Sequence, residues 1–465
     1  MSTELWGKSA GELAELICAR EVSSREVVQA HLDRITAVHE RVNAVVETFP
    51  ERSLAWADAA DAAQAQGRPL GRMHGVPFTA KTNIDFEGSA THEGSAALAG
   101  LVAPSDAPVV ERFRAAGGVP IGRTNMPDLG LRINTESTLF GATRNPWDGT
   151  RTAGGSSGGE GAAIASGQSP IGLGNDVGGS VRNPAYCCGI AAIKPGFGRV
   201  PAGNESSSMA PPIASQLMLE QGVLARRVSD LRLGLEIVMG SHRRDPFVVD
   251  APLAGPPRQR RIALVPEPDG GATDAGVADG VRRAGQALAD AGYEVVEIQP
   301  PMLEDSYIAW SELLVSDVEL NRPLLNLVLG EGGKRFLDLT NEDFPTPTPA
   351  SIMAMHQIRY RIHQAWQEFF FDFGAVVGPT WTQPPFLLGW DIESKENANA
   401  VMELFRFVLP ANLMGLPAAS VPTGIINGLP VGAQIITPRL REDIALNIAE
   451  VIENSLGIFT PISPR

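Results

Sequence analysis

Cysteine is scarce in this chain: there are three, Cys18, Cys187 and Cys188. Three cysteines make no disulfide framework, and the adjacent pair lacks the spacing of a zinc or redox motif. Buried free thiols in a reducing compartment are therefore expected, and with them a cytoplasmic location. Positive charge is also in deficit, with 38 Lys and Arg against 53 Asp and Glu and a net charge of −15. That balance repels nucleic acid and anionic membranes, so neither is an expected partner. The one dense basic cluster, RQRR at Arg258–Arg261, reads as a solvated turn ahead of a strand. No apolar run approaches the ~18 residues of a membrane span. The opening MSTELWGKSAGELAELICAR lacks a basic stretch followed by a long apolar one, and reads as an amphipathic helix with no signal peptide. The histidines, cysteines and acids show no ligand spacing, so neither a metal nor a cofactor is expected.

What is present is bulk and alternation. The chain has 465 residues, 43% of them hydrophobic, enough for a large core. Length alone suggests about three domains, yet no linker separates balanced parts, so residues 1–465 read as one domain. Ser9 is placed to cap a first helix, and Ser23 or Ser24 a second, on which Val27, Val28, His31, Leu32 and Ile35 share a face. His31 there reads as a core-edge residue. VNAVVETF reads as a strand, and an alanine-rich helix follows from about Glu51 to Gln66. From Val76 onward, short apolar runs (GVPFTAK, VPIGRTN, PIGLGND, RIALVP) alternate with helical patterns. ALADAGYEVVEI joins helix to strand with Gly292 as the stop. The alternation predicts an α/β fold, a mixed and largely parallel β-sheet surrounded by α-helices. Thr340–Thr348 reads as a surface loop, and a last helix begins near Asp443.

Two glycine-serine loops carry the chemistry. The first is GGSSGGEGAAIASG, Gly154–Gly167. A phosphate-binding loop needs a lysine where Glu160 stands. A linker does not fit the small residues that follow, which suit a buried helix. Gly154–Gly158 matches the G-x-S-x-G of a nucleophile elbow, but the polar WDGTRTA precedes it instead of a strand, and His242, His356 and His363 lie in no catalytic setting. In the second loop, GNDVGGSVRNPAYCCGIAAIKP at Gly174–Pro195, a strand-like run ends in Val177-Gly178-Gly179-Ser180. Successive small residues let backbone N–H groups converge on one point, where they can stabilise an oxyanion beside Ser180. The competing reading is a tight turn with a capping serine. A serine nucleophile needs a base. Lys81 ends an apolar run, where burial lowers a lysine's pKa toward neutrality. The competing readings are an ordinary strand-end lysine and His74 as the base.

Together these pieces resemble the amidase signature family. The matching stretches are GVPFTAKTN (Gly75–Asn83), FGATRNPWD (Phe140–Asp148), the two loops above, GVLARRVSDL (Gly222–Leu231) and Ala411–Ile436. They span nearly the whole chain and are densest over residues 70–200. The variant GGSSGGEG is similar to the fatty acid amide hydrolase branch. The resemblance implies a Ser–Ser–Lys triad, with Ser180 as nucleophile, Ser156 as proton bridge and Lys81 as base. It implies an oxyanion hole from the N–H groups of Val177, Gly178, Gly179 and Ser180. Ser157 is expected to support its loop, and Asp176 with Arg182 to orient the nucleophile turn. Gly130 falls where that branch contacts substrate, as does Ser156. Asn175 stands where threonine is common, and Ala153 where proline is, which bears on the hydrogen bonding of the pocket.

The segment Pro201–Gln221 is less family-like and has two readings, a mobile pocket wall or an ordinary surface loop. GPTWTQPPFLLGW, Gly378–Trp390, is expected either to line the pocket or to fill the core. The implied reaction is hydrolysis of a C–N acyl bond through an acyl-enzyme. A small or aryl amide, anilide, urethane or ester is favoured over a long lipid, because no membrane-binding N-terminal helix pair is evident. The alternative is the glutaminase subunit of a tRNA-dependent amidotransferase. The expected partner is a small-molecule substrate, with a homodimer left open.

Overall fold

The computed structural model describes residues 5–206, 210–342, 344 and 346–465. Its strands are β1 (Val45–Thr48), β2 (Pro77–Lys81), β3 (Val119–Thr124), β4 (Glu136–Ser137), β5 (Gly141–Ala142), β6 (Ile171–Asp176), β7 (Ala191–Lys194), β8 (Glu220–Ala225), β9 (Arg261–Leu264), β10 (Glu294–Glu297), β11 (Ala375–Pro379), β12 (Ala418–Ile426) and β13 (Leu429–Ile436). β4 and β5 pair only with each other. The other eleven form one mixed sheet in the order β1-β3-β2-β6-β8-β7-β12-β13-β11-β9-β10. Helices surround it, as the alternation of the sequence predicts. Parallel ladders join β3 to β2 to β6 and β11 to β9 to β10. The remaining ladders are antiparallel. The parallel character is thus concentrated in two outer blocks, where helical crossovers connect neighbours.

Period-two alternation sorts side chains between the two faces of the sheet. Phe78 and Ala80 of β2, and Ile171 and Leu173 of β6, enter one core with the helices Val228–Val238 and Glu442–Leu456. Burying a side chain such as Phe78 contributes about 1.5–3 kcal/mol. The second core holds the helices Gly158–Ala165 and Arg182–Cys188. Every residue of Gly158–Ala165 is buried, which explains its run of small residues: the helix lies against the sheet with no wet face.

The helix starts follow the capping logic. Ser9 and Ser23 each form a capping box, with Glu12 and Glu26 respectively. The alanine-rich helix is Pro50–Ala65 and the last is Glu442–Leu456. Gly292 takes φ +84 just past the helix Ala275–Asp290. His31 is buried and its Nδ1 meets the carbonyl of Val27 at 2.9 Å.

Three expectations need correction or narrowing. Cys187 and Cys188 are buried, but Cys18 is exposed, because the buried stripe of its helix is Ala10, Leu13 and Ile17 and the next residue leaves it. The expected loop from Thr340 begins inside a helix, Glu331–Asn341, with Thr340 Oγ1 donating to the Phe336 carbonyl. Its residues 343 and 345 lie outside the described residues. Within Pro201–Gln221, residues 207–209 lie outside them too. Ile213–Met218 is a short helix with Ala214 and Met218 buried. No described helix is long and apolar enough to cross a membrane.

Candidate active site

β2 and β6 are parallel neighbours, so their C-terminal ends open at one edge of the sheet, where α/β folds place ligands. Lys81 is the last residue of β2 and Asp176 the last of β6. The first glycine-serine loop touches both strands, through Ser156 on Lys81 and Ser157 on Asn175. Lys81 is completely buried. Its Nζ donates to Ser156 Oγ at 2.7 Å and to Asn175 Oδ1 at 2.8 Å. Burial pulls its pKa down to about 7, against the opposing pull of Asp176, Glu93 and Glu160. An amine poised there is competent as a base near neutral pH.

Ser156 follows a cis peptide bond after Gly155. A Cβ added to Gly130 would stand 3.2 Å from Ser156 Oγ, so Gly130 is next to that hydroxyl. The two serine loops are tied directly. The Ser157 N–H donates to the Ser180 carbonyl at 3.1 Å, and Ser157 Oγ reaches the Asn175 carbonyl at 3.4 Å.

The turn carrying Ser180 is organised by one carboxylate. Asp176 Oδ1 accepts from the Gly179 N–H at 2.7 Å, and Oδ2 from the Val181 N–H at 3.1 Å. Gly179 has φ +91, and a Cβ there would lie 2.4 Å from Asn183 Oδ1, so only glycine fits. Among the described residues no acceptor meets the N–H of Val177, Gly178 or Ser180. Those three remain unengaged, whereas Gly179 is committed to Asp176.

Asp176 and Arg182 form a fully buried ion pair, with Nη2–Oδ1 and Nε–Oδ2 both 3.0 Å. Burial alone would raise the carboxyl's pKa, but Arg182 overrides it and holds the group well below the usual range. Arg182 also donates to the Val408 carbonyl, Gln434 Oε1 and Asn412 Oδ1. Asn412 Nδ2 returns a bond to Asp176 at 2.9 Å. Asn183 bridges both loops through the carbonyls of Gly155 and Gly178, and itself accepts from Trp381 Nε1 at 2.9 Å. Trp310 donates to the Val177 carbonyl at 2.8 Å and closes over Gly178, whose Cβ would meet it at 2.5 Å.

The structure adds Asn83, Glu160, Asn412 and Gln434, which the motifs did not single out for the site. Glu160 sits one turn into the helix after Ser156 and accepts from Thr79 at 2.7 Å and Thr124 at 2.9 Å. Burial lifts its pKa to about 8. Gly172 makes room for it, since a Cβ there would lie 2.0 Å from Glu160 Oε2. Alternation on β2 was the signal at hand, because Thr79 and Lys81 fall on one face. Asn412 and Gln434 lie within the matching stretch Ala411–Ile436, but nothing in that stretch ties them to Arg182, more than 200 residues away in the chain.

The rival groups are engaged elsewhere. His74 Nε2 meets the Ala60 carbonyl, and His242 pairs with Glu111. Trp381 and Phe386 of the Gly378–Trp390 segment are buried and stacked at 5.6 Å. Phe386 and Trp390 also border a cleft of about 880 Å³ with Trp147, Arg151 and Asp274. Among the described residues no group of three or more His, Cys, Asp or Glu could hold a metal ion.

Comparison with known proteins places the chain in a family. The Amidase family model matches residues 26–446. Indoleacetamide hydrolase from Bradyrhizobium diazoefficiens is 40% identical, over 98% of this chain and 87% of its own. A glutamyl-tRNA(Gln) amidotransferase subunit from Salinispora arenicola is 34% identical over 99% of both chains. The structure of 6-aminohexanoate cyclic dimer hydrolase superposes with a TM-score of 0.84 at 28% identity, covering 98% of each chain. The chain belongs to the Amidase family and is an amidohydrolase of carbon–nitrogen bonds other than peptide bonds.

Proposed function

We propose that the protein hydrolyses a small or aryl-bearing amide through an acyl-enzyme on Ser180, with Ser156 as proton bridge and Lys81 as base. The observation that carries this reading is the buried Lys81 amine, brought to about 7 and held 2.7 Å from Ser156 Oγ. Neutral Lys81 takes the Ser156 hydroxyl proton as Ser156 takes that of Ser180. Ser180 Oγ then bonds to the carbonyl carbon, and the negative charge passes to the carbonyl oxygen. The N–H groups of Val177, Gly178 and Ser180 receive it, while Gly179 stays with Asp176. One oxyanion donor is worth about 3–4 kcal/mol of barrier. The relay run backwards protonates the leaving nitrogen as the C–N bond breaks. Water, deprotonated by the same relay, then releases the acid.

The relatives support the choice of substrate class. An indoleacetamide hydrolase at 40% identity supports a primary amide on an aryl-bearing acyl group. Anilides, aryl urethanes and esters are further substrates, because each presents an acyl carbon to the same serine. The test is kcat/KM over a panel of aryl acetamides, acetanilides, aryl carbamates and p-nitrophenyl esters, with fluorophosphonate labelling read by mass spectrometry. Label on Ser180 and highest turnover among the aryl amides are expected. Label on another serine overturns the assignment.

A second reading rests on the 34% identity to a glutamyl-tRNA(Gln) amidotransferase subunit over 99% of both chains. In that reading the substrate is glutamine. Glutamine hydrolysis appearing only with partner proteins present, and no turnover of the panel, would favour it.

A further inference from the structure

We infer that Asn83 is a positioning residue for the Lys81 amine, acting through a reciprocal amide pair with Asn175. The inference rests on the reading of Lys81 as the base. Asn175 Oδ1 accepts from Lys81 Nζ at 2.8 Å and from Asn83 Nδ2 at 3.2 Å. Asn175 Nδ2 donates back to Asn83 Oδ1 at 3.0 Å. Two antiparallel bonds fix the plane of the Asn175 amide and the end that faces Lys81. A flipped amide would lose both and turn N–H groups toward the amine.

The consequence is directional. A neutral amine has two N–H groups and one lone pair. With one N–H directed at Asn175 Oδ1, the lone pair is free to face the Ser156 hydroxyl at 2.7 Å, which proton transfer requires. A threonine at 175 would offer one hydroxyl and no two-bonded pair. Asn83 is itself pinned. Its backbone carbonyl accepts from Asn204 Nδ2 at 2.7 Å, and Asn204 Oδ1 accepts from the Asp85 N–H at 3.0 Å. The buried Asp85 carboxylate accepts from Thr91 and from the N–H groups of Glu205 and Ser206. The turn after Lys81 is thereby clasped to residues 204–206, at the start of the atypical segment.

The titratable groups around Lys81 are Asp176 at the end of β6, Glu93 in the loop after β2 and Glu160 on the helix after Ser156. Asn83 and Asn175 are neutral, so they direct the amine without adding charge.

The test measures kcat/KM against pH and the fluorophosphonate labelling rate of Ser180 in N83A, N175A, N83A/N175A, N83D and N175D, with thermal melts as a fold check. N83A should lose at least tenfold in both rates with KM changed less than threefold. The double variant should lose no more than N175A alone, because Asn83 acts through Asn175. N175D should move the acid limb of kcat/KM up by a unit or more, and N83D by less in the same direction. Multiplying losses in the double variant, or an N83A effect on KM alone, overturns the positioning role. Should N83A fail to fold, a limb unmoved in N83D and N175D overturns it instead. K81A separates the two layers. Activity surviving there overturns the base assignment, whereas an inactive K81A with multiplying N83A and N175A losses overturns only the positioning role.

Discussion

Lys81 Nζ lies 2.7 Å from Ser156 Oγ, with both side chains buried. A lysine base must be neutral to act, and burial places its pKa near 7. The kcat/KM profile should therefore fall tenfold per pH unit below about 7. Lys81→Met should lose about 10²–10⁴-fold in kcat, the usual contribution of general acid–base catalysis. A profile flat down to pH 5 for an amide substrate would rule Lys81 out.

The neighbouring serines should separate cleanly. Ser156 Oγ contacts the amine, whereas Ser157 supports the loop through its N–H to the Ser180 carbonyl and a long bond to Asn175. A Ser157→Ala change keeps the backbone bond. We expect Ser156→Ala to cost about 10²-fold or more in kcat, in line with loss of a proton-transfer partner. Ser157→Ala should stay within about tenfold, since it removes at most one weak hydrogen bond. Single-turnover kinetics on an anilide gives both numbers, and equal losses would discredit the bridge.

Much of this site could be read from residue order. The two serine loops and the strand ending in Lys81 are contiguous motifs, and the sheet's parallel neighbours bring their ends together. The support around them could not be read that way. Arg182 depends on Asn412 and Gln434, and neither carries a local pattern tying it to a turn so far away. Residue order alone groups Gly179 with Val177, Gly178 and Ser180 as candidate oxyanion donors, because it lies between them. Only the fold shows its N–H turned to Asp176. The exposure of Cys18 has a related cause: a residue type gives an average burial, and the helix face decides.

The buried Asp176–Arg182 pair yields a stability prediction. Both groups are inaccessible, and Arg182 serves four partners besides its own backbone. Truncation leaves a buried carboxylate without its counter-charge. Arg182→Ala should destabilise by about 3–5 kcal/mol, the range for breaking a buried ion pair. Arg182→Lys should recover only part, because an ammonium cannot reach the same set of acceptors. Urea unfolding followed by tryptophan fluorescence measures both, and a loss under about 1 kcal/mol would mean that water replaces the guanidinium.

Glu160 allows a test of electrostatics apart from turnover. Its folded pKa is raised to about 8 by burial, despite the hydroxyls of Thr79 and Thr124. Below pH ~4.5 the carboxyl is protonated in both folded and unfolded chains, so it adds no pH dependence. Between ~4.5 and about 8 the unfolded chain releases the proton and the folded one keeps it. The stability that the neutral form contributes is therefore lost as pH rises through this window, by at most ~1.4 kcal/mol per unit. Glu160→Gln has no proton to lose. Its stability relative to the parent should be constant below pH ~4.5, rise across the window and level off above about 8. Lys81 titrates in both proteins, so the part of its contribution that does not depend on Glu160 cancels in the difference. Glu160 is one of the groups that pull the Lys81 pKa up, so any movement of the acid limb of kcat/KM in Glu160→Gln should be downward. Chemical denaturation at half-unit pH steps decides the matter. A stability difference that does not change with pH would mean that Glu160 titrates in the folded protein as it does in the unfolded chain, the two threonine hydroxyls offsetting the cost of burying its charge.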